Sequence, residues 1–207
     1  MTGKLLVTSF SRSDVGSKSY LVSSGQSGII IDPGFLPVHD ILAALKELCI
    51  CLEWIILTHE HFDHCEGTDA LRAATGAKLA CSAECNVAII DPKKNLSAYA
   101  PQGKPFALEP ADVVFDGENS LLDWAGGTVK VFATPGHSPG SVTIKIENMI
   151  FTGDTLLTEN NTPTHLPGGD KLLLWQSHEM LKRIVNPTDL VFPGHGTPKI
   201  FSLSIVG

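Results

Sequence analysis

The apolar run Trp54-Ile55-Ile56-Leu57-Thr58 is followed at once by His59-Glu60-His61-Phe62-Asp63-His64, three imidazoles and a carboxylate in one short segment. The run is β-branched and bounded by polar residues, so it predicts a buried strand whose C-terminal end releases the histidines into a loop. In extended backbone alternate side chains share a face, which places His59, His61 and Asp63 together and turns His64 elsewhere. Of eight histidines in 207 residues, three lie here. A polar surface loop has no physical need for that density, whereas a metal has. Imidazole and carboxylate suit zinc, iron or manganese, and one small ion does not comfortably accept four such groups from so short a stretch. Two neighbouring metal positions are therefore expected.

Three further ligand-type residues occur in similar settings. His137 lies in Thr134-Pro135-Gly136-His137-Ser138-Pro139-Gly140-Ser141, Asp154 in Thr152-Gly153-Asp154-Thr155, and His195 in Pro193-Gly194-His195-Gly196. Each follows an apolar, strand-like run, respectively Val129–Ala133, Met149–Phe151 and Leu190–Phe192. A glycine beside each permits the turn that aims a side chain out of a strand end. One such turn alone carries little weight; three, added to the first cluster, make a constellation.

Composition limits the reading. With 43% hydrophobic and 18% charged residues, a chain of this length can bury a substantial core, and residues 1–207 are expected to form a single domain. The formal net charge of -7, interrupted by the basic pair Lys93-Lys94, argues against a nucleic-acid partner. The N-terminus lacks a signal-peptide core and no segment reaches membrane-spanning length, so a cytoplasmic location without membrane contact is expected. Cys49, Cys51, Cys65, Cys81 and Cys85 are an odd number with no recognisable framework, which favours reduced thiols. Cys65, beside the ligand cluster, reads as a small residue packed beneath the loop.

Strands are expected at Leu5–Ser9, Ser19–Ser23, Gly28–Ile31, Trp54–Thr58, Lys78–Cys81, Val113–Phe115, Val129–Ala133, Ser141–Ile146, Met149–Thr152 and Leu190–Phe192. Helical periodicity marks Val38–Leu48, Thr68–Thr75 and Leu173–Val185. Asp91–Pro110, with four of the thirteen prolines, reads as a long loop or lid over the site. The alternation predicts a layered α/β protein.

The ligand pattern resembles the metallo-β-lactamase fold superfamily: an Asp after an early strand (Asp32 in Ile31-Asp32-Pro33-Gly34), then HxHxDH (His59, His61, Asp63, His64), a distant His (His137), an Asp (Asp154) and a last His (His195). The resemblance covers nearly the whole chain. It implies a four-layer αββα sandwich, two mixed sheets flanked by helices, with the metals at one edge. It also implies two divalent ions, zinc, with iron or manganese as alternatives. His59, His61 and His137 would hold the first, Asp63, His64 and His195 the second, and Asp154 would bridge them. Asp32 would support the histidine loop from behind, or be an ordinary Asp-Pro-Gly turn.

Such a centre would make the protein a hydrolase, its metal-bound hydroxide attacking a carbonyl with Asp63 and Asp154 as the catalytic carboxylates. Within the superfamily the chain looks most like short glyoxalase II-like (hydroxyacylglutathione hydrolase-like) enzymes, which share the Pro167-Gly168-Gly169-Asp170 segment. This implies a small-molecule thioester, ester or lactone substrate. Pro163-Thr164-His165-Leu166 departs from the Arg-Thr-Asp-Phe run of many relatives. Only eleven residues follow Gly196, too few for the helical domain with which larger glyoxalase II enzymes hold glutathione. His165 is a candidate substrate contact; His39 and His178 read as structural. Two alternatives are a mononuclear iron persulfide dioxygenase using His59, His137 and Asp154, and a non-catalytic metal-binding module.

Overall fold

Ile29 and Ile31 point to one side of their strand and Ile30 to the other, yet all three are completely buried. A strand buried on both faces needs a packing layer on each side. The computed structural model, which describes residues 4–11, 16–34, 37–101 and 104–202, supplies both. Met1–Gly3 and the Gln102-Gly103 part of the expected loop lie outside the described residues.

The strands β1 (Leu5–Ser11), β2 (Lys18–Ser24), β3 (Ser27–Ile31), β4 (Cys51–Ile56), β5 (Lys78–Ser82) and β6 (Val113–Phe115) form one mixed sheet in chain order. The first two pairings are antiparallel and the remaining three parallel. A second sheet contains β7 (Asn119–Trp124), β8 (Gly127–Ala133), β9 (Val142–Ile146), β10 (Met149–Gly153), β11 (Leu190–Pro193) and β12 (Lys199–Ile200), also in chain order. All its pairings are antiparallel except β10 with β11.

Between the sheets Val22, Ile29, Ile31 and Ile56 meet Val131, Ile144 and Phe151, and Tyr20, Phe151 and Phe192 pack ring against ring. On the outer face of the first sheet Ile30, Ile55 and Leu79 are covered by Ile41 and Leu45 of α1 (Val38–Glu47), Leu71 of α3 (Thr68–Thr75) and Ile89 of α4 (Ala83–Ile89). On the far side of the second sheet Ile150 and Val191 lie under Leu181 of α5 (Lys171–Ile184). The result is the expected αββα layering. Each fully buried Leu, Ile or Val contributes roughly 1.5–3 kcal/mol, and period-two alternation along β2, β3 and β4 divides that burial between two cores.

Several boundaries differ from the sequence reading. Strand β4 ends at Ile56, leaving Leu57 and Thr58 outside the named strand. Two edge strands, β7 and β12, and the short helices α2 (Phe62–Cys65) and α4 were not expected. Helix α5 starts two residues early because Asp170 caps it, its Oδ1 accepting from the amides of Leu172 (2.7 Å) and Leu173 (3.0 Å). The stretch expected to be a long loop or lid is tied down: Asn95 is fully buried, its Nδ2 donating to the carbonyls of Ile89 and Phe106 and its Oδ1 accepting from the Ser97 amide. The five cysteines are unpaired, and Cys65 is buried with its thiol 3.4 Å from the Glu60 carbonyl. Among the described residues no helix is long and apolar enough to cross a membrane.

Topology gathers the ligand loops. Strands β3 and β4 are parallel, so Asp32 and Thr58–His64 emerge from the same end of the first sheet. In the second, β8 and β10 both run antiparallel to β9 while β11 is parallel to β10, so the loops holding His137, Asp154 and His195 emerge together. The Val142 amide donates to the Thr58 carbonyl (2.7 Å), and Tyr20 donates its hydroxyl to the Pro193 carbonyl (2.7 Å). These bonds fasten one sheet's exit loops to the other's.

Candidate metal centre

The His59–His64 segment does not stay extended. His61 is the last extended residue (φ -63°, ψ 142°) and N-caps α2, so Phe62, Asp63 and His64 lie on a helical turn. This corrects the alternation argument: Asp63 parts from His59 and His61 and joins His64. Close backbone approach secures the turn. A Cβ on Gly34 would strike the Asp63 carbonyl, so the Asp32-Pro33-Gly34 turn lies directly beneath α2 only because residue 34 lacks a side chain. A Cβ on Gly194 would likewise overlap the Asp154 carboxylate.

Potential donor atoms converge in two main groups. One contains His59, His61 and His137; the other contains Asp63, His64 and His195; in each, all three atoms lie within 4.8 Å of one another. His61 Nδ1 is 3.0 Å from His137 Nε2, and His64 Nε2 is 3.3 Å from His195 Nε2. Asp154 stands between them, with Oδ2 3.6 Å from both His137 Nε2 and His195 Nε2 and Oδ1 3.6 Å from His64 Nε2. Donors at about 2.0–2.1 Å from a tetrahedral ion lie about 3.3 Å apart, so this spacing suits shared coordination.

A third grouping, Asp32 with His59 and His64, is also within 4.8 Å, but its carboxylate is already engaged. Oδ1 accepts from the Thr58 amide (2.7 Å), and Oδ2 accepts from the Thr58 hydroxyl (2.6 Å) and faces His64 Nδ1 (3.2 Å). Asp32 therefore holds ligands from behind. The same logic fixes the other rings. His137 Nδ1 donates to the Pro163 carbonyl (2.9 Å), and His59 Nδ1 donates to the Thr58 hydroxyl (3.0 Å), whose own proton goes to Asp32. Each ring then turns Nε2 inward with a free lone pair. Two inward atoms, His59 Nε2 and Asp154 Oδ1, are buried without a hydrogen-bond partner. Orphaned buried polar atoms are costly, and a cation beside both removes that cost.

Burial, reinforced by neighbouring imidazoles, pushes His59 far below its ordinary pKa and His61 down to about 3; burial also lowers His137. These rings are neutral, as ligation requires. Burial opposes protonation of His64 too, but Asp63, Asp154 and Asp32 outweigh it and raise its pKa to about 10. For Asp63, burial is overcome by His64 and His195, which hold the carboxyl well below its usual range. In the bare protein the His64 proton thus does part of the work that a cation would do.

The profile of the metallo-β-lactamase superfamily matches residues 12–195. The chain belongs to the metallo-β-lactamase superfamily. Among relatives, the probable metallo-hydrolase YqgX of Bacillus subtilis is 31% identical, the match covering 88% of this chain and 86% of that one. Among solved structures, the BLEG-1 B3 metallo-β-lactamase superposes with a TM-score of 0.86 at 29% identity, over 94% of this chain and 93% of the other. TTHA1623 in a di-iron-bound form has a TM-score of 0.80 at 26% identity, over 96% of each chain. The clustered residues are accordingly the His/Asp metal-binding site of this superfamily member.

Glu60 and Ser138 escaped the sequence reading. Glu60 is buried between His59 and His61, and its Oε2 accepts from the Ser138 hydroxyl (2.9 Å), bolting the first histidine loop to the one bearing His137. No spacing rule distinguishes that glutamate from a solvated one. His165 is exposed, and the cavity beside His61 and Asp63 is lined by Leu166 and Pro167 rather than by His165. His178 Nε2 donates to the Thr155 carbonyl (2.7 Å), steadying the turn after Asp154. His39 is exposed beside Asp40 and belongs to none of the donor groups.

Proposed function

We propose that this protein is a dinuclear metal-dependent hydrolase acting on the carbonyl of a small thioester, ester or lactone. The observation that carries the reading is Asp154: Oδ2 is equidistant from an imidazole of each donor group, and Oδ1, without a hydrogen bond, lies 3.6 Å from a third imidazole. In this reading His59, His61 and His137 hold one ion, Asp63, His64 and His195 the second, and Asp154 both. Zinc is the preferred ion, and the di-iron form of TTHA1623 supports a pair of sites. Bound there, two divalent ions supply an acidified water and a Lewis acid for the carbonyl.

The chain's own groups do the rest. Asp32, Thr58 and the Pro163 carbonyl orient the rings of His64, His59 and His137, which keeps their Nε2 atoms aimed inward. Asp63, partly exposed at the rim with Oδ2 3.3 Å from His195 Nε2, is placed to take a proton toward solvent. The cavity over His61 and Asp63, about 360 Å³, suits a small substrate rather than a polymer. Five unpaired cysteines support a reducing, cytoplasmic setting.

Metal analysis combined with a panel of thioesters and lactones tests the proposal. Two zinc ions per chain and turnover of a thioester support it. One iron per chain with oxygen uptake on a persulfide would replace it with an oxygenase.

A further inference from the structure

One cavity opens on the metal centre, a second lies beside it across Pro167, and the anchored loop after Asp91 walls both. The smaller opens on His61 and Asp63 and is otherwise largely apolar, with Leu96, Tyr99 and Leu166 around it. The larger, about 540 Å³, reaches Glu60, between His59 and His61, and Pro139, two residues past His137; Lys93 and Lys94 lie on its wall beside Val87 and Ala88. Pro167 lines both cavities, so they are neighbours across a single residue.

Among the described residues Lys93 and Lys94 share with most of the chain's cations the lack of an ion pair, and what sets them apart is their place side by side on a cavity wall. Arg72 is paired with Asp69 and Asp112, Lys145 with Asp189, and Lys182 with Glu179. Among the described residues neither Lys93 nor Lys94 has an ion-pair partner within 4.0 Å. Of the two carboxylates on the same cavity, Glu60 is buried and committed to Ser138, while Glu84 is exposed. The walls are otherwise mainly apolar, and the two lysine side chains are exposed and free to meet an incoming anion.

The backbone presenting the lysines is fixed to the ligand motif itself. The Lys93 amide donates to Asp91 Oδ1 (2.9 Å) and the Lys94 amide to the Asp91 carbonyl (3.0 Å). The next carbonyl, that of buried Asn95, accepts from the Phe62 amide at 2.8 Å, one residue from His61. Leu96 follows with φ +65°, a left-handed conformation that a branched side chain rarely adopts without tertiary support.

We propose that the larger cavity is a substrate subsite for an anionic terminal group. The substrate is an acyl compound whose carbonyl reacts at the metals, whose middle lies against Pro167 and the apolar walls, and whose far end carries a carboxylate or phosphate held by Lys93 and Lys94. The placement of its reacting end rests on the hydrolase reading above. A chain with net charge -7 otherwise repels such a substrate, and two unpaired ammonium groups offset that locally.

The test compares hexanoyl thioesters of mercaptopropionate and mercaptoethylphosphonate with that of uncharged mercaptopropionamide on the zinc-loaded enzyme. The double variant Lys93→Met/Lys94→Met should raise KM about tenfold for an anionic thioester, leave kcat unchanged and leave the amide within about twofold. The carboxylate and phosphonate arms show which anion is preferred. Glu84→Gln should act oppositely, lowering the anionic KM about twofold. An equal loss for charged and neutral substrates, or no loss for either, overturns the subsite. Calorimetry with the non-hydrolysable S-hexyl thioether of mercaptopropionate separates the two proposals. Lysine-dependent binding without turnover of any thioester removes the hydrolase and keeps the subsite, whereas turnover with lysine-independent binding does the reverse.

Discussion

The two donor groups of the metal centre are built by different means. His59, His61 and His137 are at most 4% exposed, and burial keeps all three neutral. In the other group His64 is completely buried, but the side chains of Asp63 and His195 are 16% and 28% exposed. There carboxylates surround an imidazole that keeps its proton in the bare protein. One half is preorganised by packing, at the expense of an orphaned nitrogen on His59; the other is held by charge and open to solvent. Solvent therefore reaches the second half more readily, while the first is a fixed anchor.

The largest effect should come from the residue belonging to both halves. Asp154→Ala removes the shared carboxylate, so both ions should be weakened and hydrolysis should fall by more than the roughly 100-fold typical for loss of an outer partner. Metal content and turnover of the best thioester measure this together. A variant that keeps two ions and full activity would show that the groups work separately.

Asp32→Ala should be the next most damaging. It leaves the Thr58 amide and hydroxyl and His64 Nδ1 without their acceptor, at a stability cost of roughly 2–4 kcal/mol. Metal affinity should drop about 10–100-fold, more for the ion at His64 than for the other, because Asp32 reaches His59 only through Thr58. Chelator competition followed by cobalt absorption resolves the two sites. Equal weakening would make the Asp32–Thr58 pair a common support.

Titration of the metal-free protein contrasts the halves directly. The His64 proton stabilises the fold fully below the unfolded histidine pKa of about 6.5, and that contribution is lost as pH rises through about 10. His59, His61 and His137 have the opposite sign: below about 6.5 the unfolded chain takes protons that the folded rings refuse, so acidification destabilises the fold, for His61 until about pH 3. Melting temperature should therefore peak near neutrality. Zinc loading should abolish the alkaline decline, since ligation requires His64 to be neutral already. An alkaline decline that survives zinc loading would place His64 outside the coordination shell.

The contrast also separates what the sequence makes legible from what it does not. Uninterrupted apolar runs such as Ile29-Ile30-Ile31 and Trp54-Ile55-Ile56 mark central strands because burial on both faces removes every polar option. Strand β7, Asn119-Ser120-Leu121-Leu122-Asp123-Trp124, pairs on one side only and shows half its residues to solvent, so its composition resembles a turn. Helix α4 is too short for its periodicity to register. At the centre, the histidines and aspartates are visible as residue types, but their division into groups turns on a helical turn at Phe62 that alternation misjudges. The family pattern, with its separate pairing of Asp63 and His64, agrees with the grouping seen. Glu60 was invisible because its role depends on Ser138, 78 positions away.

That pair supplies the smallest predicted effect. Ser138→Ala removes the donor to Glu60 Oε2 and the hydroxyl 2.9 Å from Ser141 Oγ, leaving a buried carboxylate with fewer partners. About 1 kcal/mol of stability should be lost, a fall in Tm of about 2–4 °C for a chain of this size. Ser138 adjoins His137 and bonds the residue between His59 and His61, so any loosening should concentrate on the first group. In the cobalt-loaded protein the first ion should weaken severalfold and the second stay as in the parent, the reverse of Asp32→Ala. If both variants weakened the same ion, burial and charge would not be independent supports, and the centre would behave as one network rather than two halves joined at Asp154.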